Sequence, residues 1–322
     1  MLAILIMIAA VCKRYGPPEV LQIQEVTKPI CKDNEILVKI LAASVNSGDV
    51  RVRGLAVSGI LKVIMRFVLG FFGPRYSVLG IVFAGVVEEK GDKTNRFAIG
   101  EKVFGITGFK FGTHAQYVSV RESSIMTEMP VNATFEEAAS LPFGWHTAIY
   151  FLKKAGIESR KRPKVLIYGA TGSVGLAAIQ LAQYFDSELT AVCSSRGSEA
   201  MMFLSVNDVI YYDLHDFTQT SQTFDIIFDA VGKTSKSFCK HLLEKGGTFV
   251  TVAGLDTATP EIAHLDLIRQ LWEAGMCRAI IDRVYPLTEI VAAHAYVDTG
   301  RKKGDVVLTI HHTENWNSEM SV

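Results

Sequence analysis

Neither sign of charge is in excess in this 322-residue chain: 33 lysines and arginines face 33 aspartates and glutamates. Net charge therefore gives no reason to recruit nucleic acid or an anionic membrane. Cysteine is scarce and unpatterned. The five thiols, at positions 12, 31, 193, 239 and 277, include no C-x-x-C pair, which argues against a zinc knuckle or a disulfide framework and for reduced thiols in a cytoplasmic setting. Mean hydropathy is high, +0.24, but the apolar residues are spread through short runs. Residues 1–12, MLAILIMIAAVC, invite a signal-peptide reading. Against it, Lys13 and Arg14 follow the run instead of preceding it, no small-residue cleavage site stands out, and twelve residues cannot span a bilayer. A buried first strand is expected there.

What is present centres on residues 164–175, KVLIYGATGSVG, followed by the apolar-periodic stretch LAAIQLAQYF. A strand, a tight glycine turn and a helix start form a cradle for a dinucleotide pyrophosphate, because the phosphates approach the backbone closely and the helix end offers free N–H groups. The motif is Ala170-x-Gly172-x-x-Gly175, with alanine in place of the first glycine. Strand-like runs recur at 188–193, 208–212, 225–230 and 247–254, alternating with helical stretches, which predicts a parallel, doubly wound α/β sheet. At the end of the second strand, where an acidic residue would hold a ribose 2′-OH, stand Cys193, Ser194, Ser195 and Arg196. With no carboxylate there and an arginine suited to phosphate, NADPH is the expected cofactor.

Before this unit, from about residue 15 to 121, short apolar runs separated by Gly, Pro, Asn and Asp predict a small barrel or sandwich. One stretch differs. Residues 55–72, LAVSGILKVIMRFVLGFF, have helical length and carry Lys62 and Arg66 four apart. They read as a lid over an apolar pocket, with a membrane-surface helix as the weaker reading. Residues 134–157 are helical in period and expected to break at Pro142 and Gly144, and 261–275 form another helix. The pair His311 and His312, a temptation for a metal, is expected to face solvent.

Several stretches together resemble the zinc-independent quinone oxidoreductase branch of the medium-chain dehydrogenase/reductases. They are ASVNSGD at 43–49, LGIVFAGVVEE from Leu79, FAIGEKVFG from Phe97, AASLPFGWHTA at 138–148, the fingerprint, FDAVG at 228–232, and the ending DRVYPL through DVVLTI. The resemblance implies a GroES-like β-barrel catalytic domain from both termini (1–124 and 283–322) around a Rossmann domain (125–282). Zinc-dependent relatives bind catalytic zinc at positions matching Asn46, Ile81 and Phe143, and the structural zinc loop is absent, so no metal is expected. By resemblance Asn46 lies beside nicotinamide and substrate, and Thr147 approaches the nicotinamide. Thr171, Gly172, Ser173 and Val174 meet the pyrophosphate, with Ala170 and Gly175 completing the turn. Ser194 and Arg196 meet the 2′-phosphate, Tyr212 the adenosine, and Val231 and Gly254 the nicotinamide through backbone groups.

Two departures stand out. The tyrosine that some members use as a proton donor is missing after Arg53, and the nearest candidate is Tyr76; otherwise protons come from water. Between Leu255 and Ala263 the chain is short of the helix and sixth strand of a 3-2-1-4-5-6 sheet, which puts the usual homodimer in doubt. His114 and His146 are acid/base candidates that nothing in sequence pairs with a carboxylate. The expected activity is hydride transfer from NADPH to a small quinone or α,β-unsaturated carbonyl. The alternatives are an enoyl-thioester reductase, with Lys62, Arg66 and Arg75 as a basic path, and a non-enzymatic NADPH-binding sensor or interaction protein.

Overall fold

The structure is a computed structural model that describes residues 5–56, 59–254 and 256–312, with the side chains of 60–62 left aside. The chain opens with β1 (Ile6–Cys12) and β2 (Leu21–Thr27), an antiparallel ribbon bridged to Val78 and Ala115. There follow β3 (Glu35–Val45), α1 (Ser47–Gly54), α2 (Gly59–Leu69), β4 (Val82–Lys90), β5 (Lys102–Ile106), β6 (Tyr117–Arg121), β7 (Ile125–Glu128) and α3 (Phe135–Lys154). The second half comprises β8 (Lys164–Tyr168), α4 (Ser173–Tyr184), β9 (Glu188–Cys193), α5 (Ser198–Phe203), β10 (Asp208–Tyr211), β11 (Phe224–Asp229), β12 (Leu243–Thr251) and α6 (Ile262–Glu273). The last elements are β13 (Ile281–Pro286), α7 (Ile290–Asp298) and β14 (Asp305–Thr309).

Two sheets carry the architecture. One has the order β13-β14-β3-β4-β5-β7, with β6 also paired to β3, so the last strand of the chain lies beside one of the first: Val306 is opposite Val45. The other is all parallel in the order β10-β9-β8-β11-β12. In doubly wound terms this is 3-2-1-4-5, and among the described residues no sixth strand covers the edge of β12. The switch from one sheet to the other falls slightly inside the expected division at 124 and 283, since β7 still pairs with β5 and β13 already pairs with β14.

One apolar core runs through both sheets because α3 lies between them. Ala42, Ala84, Phe104 and Val307 from the first sheet share a buried cluster with Ile167, Phe228 and the face of α4. The helix starts on a capping box, Thr134 with Glu137, which satisfies two free N–H groups. Contrary to the expectation from Pro142 and Gly144, it does not break. The proline forfeits one ladder hydrogen bond, but 13 of the 20 residues are buried, and packing of this extent outweighs the local cost. Gly144 is required by close approach: a Cβ there would stand 2.5 Å from the carbonyl oxygen of Ser173, in the first turn of α4.

The histidine pair at the C-terminal end also differs from expectation. His311 is exposed, but the His312 ring is half-buried, its Nε2 2.7 Å from the Ile40 carbonyl oxygen and its face edge-on to Tyr117. Strand pairing carries it past the end of β14 onto β3, which the sequence does not announce.

The tight contact predicts that Gly144→Ala destabilises the folded chain by about 1–3 kcal/mol, the usual range for overpacking against backbone. Denaturant unfolding would measure it; an unchanged midpoint would mean that the two helices can separate freely.

Candidate active site

A cavity of about 890 Å³ opens between the two sheets, below α3 and above the C-terminal ends of β8 and β11. At one end the turn after β8 brings the fingerprint to its wall. Gly169 has φ +80°, and a Cβ there would strike the Val231 side chain at 2.5 Å, so the turn both needs and admits only glycine. Thr171, Gly172, Ser173 and Val174 line the cavity. Gly172 is the N-cap of α4 and has no side chain to satisfy the first N–H groups, which leaves them to an anion. Ala170 and Gly175 stand behind this wall as packing. A Cβ on Gly175 would be 2.2 Å from the Gly169 carbonyl oxygen.

Two lysines cross to this turn from residues 300–304, a feature that the sequence reading missed. Lys302 Nζ donates to Ser173 Oγ and to the Gly304 carbonyl. Lys303 Nζ stands 3.4 Å from Thr171 Oγ1 and 3.3 Å from Ser194 Oγ. Both line the cavity. Arg196, by contrast, is exposed and lies outside the wall, and Asp213 accepts hydrogen bonds from the N–H and hydroxyl of its neighbour Ser195. Tyr212 does reach the cavity, half-exposed, beside Tyr168.

At the other end Thr147 lines the wall, and its hydroxyl donates to the Phe143 carbonyl at 2.8 Å, so it can only accept from a ligand. Val231 and Gly254 also line it. The Val231 N–H is already engaged: buried Asp229 gathers the N–H groups of Val231, Gly232 and Thr234 and the Thr251 hydroxyl. Only the Val231 carbonyl remains for a ligand. The short connection after β12 does not leave the site open. Residues 256–260 themselves line the cavity, clamped to α3 by hydrogen bonds from Tyr150 and Lys154 to Asp256.

The remaining wall is apolar and aromatic, from Ile81, Ile106, Phe109, Phe111 and Phe143, with Arg51 at the rim. Asn46 is not itself part of the lining: it precedes Ser47 and Gly48, which are, and is buried as the N-cap of α1. Its Oδ1 accepts from the N–H groups of Gly48 and Asp49, in a capping box with Asp49. Those two donors fix which end of the amide is oxygen, and the free Nδ2 has no partner in the protein. Tyr76 is not brought to the wall. Its half-exposed ring lies on the far side of Phe111, 6.5 Å centroid to centroid.

His146 is in the wall and His114 is not. Burial, with a smaller push from His264, pulls His146 down to about 4. Burial likewise pulls His114 down to about 4, against a stabilising contact with the Ser44 carbonyl, and holds His294, edge-on to His114, well below the ordinary range. Both candidate acid/base histidines are thus neutral at pH 7.

Comparison with known proteins decides the family. The description "Alcohol dehydrogenase GroES-like domain" matches residues 32–131 and "Zinc-binding dehydrogenase" matches 257–308. The chain is 31% identical to 2-methylene-furan-3-one reductase of Solanum lycopersicum, over 91% of this chain and 76% of that protein. It is 30% identical to the mitochondrial NAD(P)H oxidoreductase RTN4IP1 of Mus musculus, over 95% and 89%. A quinone oxidoreductase structure from Coxiella burnetii superposes with a TM-score of 0.85 at 28% identity, covering 95% of this chain and all of that one. The chain belongs to the quinone oxidoreductase branch of the medium-chain dehydrogenase/reductases. In this member of that superfamily, Ile81 and Phe143, at two of the positions matched to zinc ligands, are apolar wall residues, and at the third the Asn46 oxygen is spent on a helix cap.

The buried histidines predict acid lability. His114, His146 and His294 are neutral when folded but take up protons when unfolded, so stability present above pH 6.5 is lost as pH falls through that value toward 4. Asp49 works the other way. Burial, partly offset by the Asn46 N–H, raises its carboxyl to about 7, so it costs stability as pH rises from about 4 to 7. Among these four groups, three against one leave the unfolded state with about two more protons in the overlap, a contribution of up to about 3 kcal/mol per pH unit. Asp49→Asn keeps the cap acceptor and should steepen the loss between pH 6.5 and 4.5, as read by thermal unfolding; an unchanged slope would mean that Asp49 is ionised when folded.

Proposed function

We propose that this protein transfers a hydride from NADPH to a quinone or an α,β-unsaturated carbonyl without a metal. The observation that carries this is one cavity with an anion cradle at one end and an apolar aromatic wall at the other; Asn46, buried just behind Ser47 and Gly48 of that wall, has an amide Nδ2 without a protein partner. Bound NADPH would supply the hydride. The chain supplies the rest. Phe109, Phe111 and Phe143 exclude water and present flat surface to a planar acceptor. Asn46 lies behind Ser47 and Gly48 of the wall with its oxygen tied and its NH2 unpartnered; a small shift of the wall on ligand binding would let that NH2 donate to an oxygen that gains negative charge. Neutral His146 offers no imidazolium, and Tyr76 stands outside, so the proton comes from solvent. That requirement suits acceptors with their own electron sink.

The preference for NADPH rests on Ser194 and Lys303 meeting at the end of β9, where no carboxylate faces the cavity. Val231 acts through its carbonyl, Gly254 through its backbone and Tyr212 through its ring. The connection at 256–260 lines the cavity and is tied to α3, so the shortened segment leaves a wall at this place; turnover separates the enzyme from the sensor reading. Five free thiols fit a reducing compartment such as the cytoplasm.

NADPH oxidation with a naphthoquinone, a 2-alkenal and a crotonyl thioester tests the reading. Turnover is expected with the first two; none with any acceptor, in folded protein that binds NADPH, would overturn it. Lys303→Ala should weaken NADPH about ten-fold, the worth of one charge-assisted contact, and NADH less. Arg196→Ala should change either cofactor little, as read by fluorescence titration; the reverse ranking would return the 2′-phosphate to Arg196.

A further inference from the structure

The two faces of α2 have different surroundings. On one face Met65 and Leu69, four residues apart, pack with Leu55 and Tyr15 onto Phe111, behind the cavity wall. On the other, Val63, Ile64, Phe67 and Val68 are exposed. The turn after the helix adds Phe71 and Phe72, the latter 88% exposed, and the rings of Phe67, Phe71 and Phe72 meet edge to face on the surface. Seven of the 21 exposed large apolar side chains among the described residues fall within residues 63–76, so this is a patch rather than scatter.

Charge along the stretches that build the patch has one sign. Residues 1–18 and 50–87 contain seven lysines and arginines and no acidic residue, in a chain whose net charge is zero; Arg51 lines the cavity and Arg53 is buried against Asp298, which leaves Lys13, Arg14, Arg66 and Arg75 as the described cations at the surface. The two segments meet here: Gly73 packs against the backbone of Lys13 and Arg14, whose side chains are exposed. Arg66 and Arg75 reach the carbonyls of Phe71 and Phe67, which places both guanidinium groups at the rim of the aromatic cluster. No helix among the described residues is long and apolar enough to cross a membrane. A short helix with an apolar outer face and a rim of cations is built to lie in a headgroup layer.

We propose that the outer face of α2 and the Phe71–Phe72 turn form a docking surface for an anionic lipid bilayer. The aromatic side chains enter the interface, and Lys13, Arg14, Arg66 and Arg75 meet lipid phosphates. The helix that touches the bilayer is the one whose inner face backs the apolar end of the cavity, so docking brings that end to the lipid. The balanced overall charge argues against membrane recruitment only on average; locally the segregation reverses that argument.

Sedimentation of the full chain with vesicles tests the surface independently of turnover. The protein is expected to pellet with phosphatidylcholine vesicles containing phosphatidylglycerol and much less with phosphatidylcholine alone, with binding weakened by salt. Arg66→Glu with Arg75→Glu should lower partitioning by more than an order of magnitude, since each surface cation is worth about five-fold. Phe67→Ser with Phe72→Ser should abolish it while leaving turnover of a water-soluble quinone unchanged. Protein that stays in the supernatant with both vesicles overturns the proposal. So does a dimer in lipid-free buffer that the Phe67→Ser, Phe72→Ser variant converts to monomer without any vesicle binding, which would make the patch a self-association surface.

Discussion

The contact on which the molecule depends is the approach of α3 to the first turn of α4, where Gly144 leaves no space for a Cβ beside the Ser173 carbonyl. That turn is the anion cradle. Because the same helix packs on both sheets, the position of the cradle relative to the apolar wall is set by a buried helix and not by a hinge. His146 and Thr147 follow Gly144 within three residues on α3, so the two ends of the cavity are held in register by one rigid element. Packing at native density transmits such placement with little slack.

Charge is treated differently at the two ends of the cavity. At the phosphate end two lysines come from the far part of the chain and stand among hydroxyl groups. At the other end burial keeps neutral His146 in the wall and His114 and His294 behind it, including both histidines that invite an acid/base role. Burying an unpaired charge there would cost more than packing returns. The division assigns anchoring to one end and leaves the acceptor in a surrounding where a single amide donor has large effect.

Much of this was legible in the sequence because it is local. The fingerprint, the strand alternation, the helix within residues 55–72 and the absent carboxylate after β9 are patterns of neighbouring residues, and the shortened run after β12 shows as a missing length; the lid role expected of that helix is not seen, since none of its described residues lines the cavity. What escaped depends on tertiary contact. Lys303 meets Ser194 across 109 positions of chain, and no periodicity links them. Pro142 reads as a helix breaker on propensity alone, and only the burial of α3 shows why it is tolerated. His312 looks free at a strand end until β14 is paired with β3. Tyr76 was nominated by proximity in sequence, yet the chain folds Phe111 between it and the cavity.

The pairing of β14 with β3 also orders the protein's assembly in time. On the ribosome β3 is made early, and its edge along Ala42–Val45 stays without its partner until the last strand emerges. The parallel sheet needs only contiguous chain and can fold first. The catalytic half waits for a contact that spans most of the polypeptide, the kind that forms slowly. A nascent or truncated chain would therefore hold a finished nucleotide sheet beside an incomplete catalytic one. Quality control would meet its substrate at that open strand.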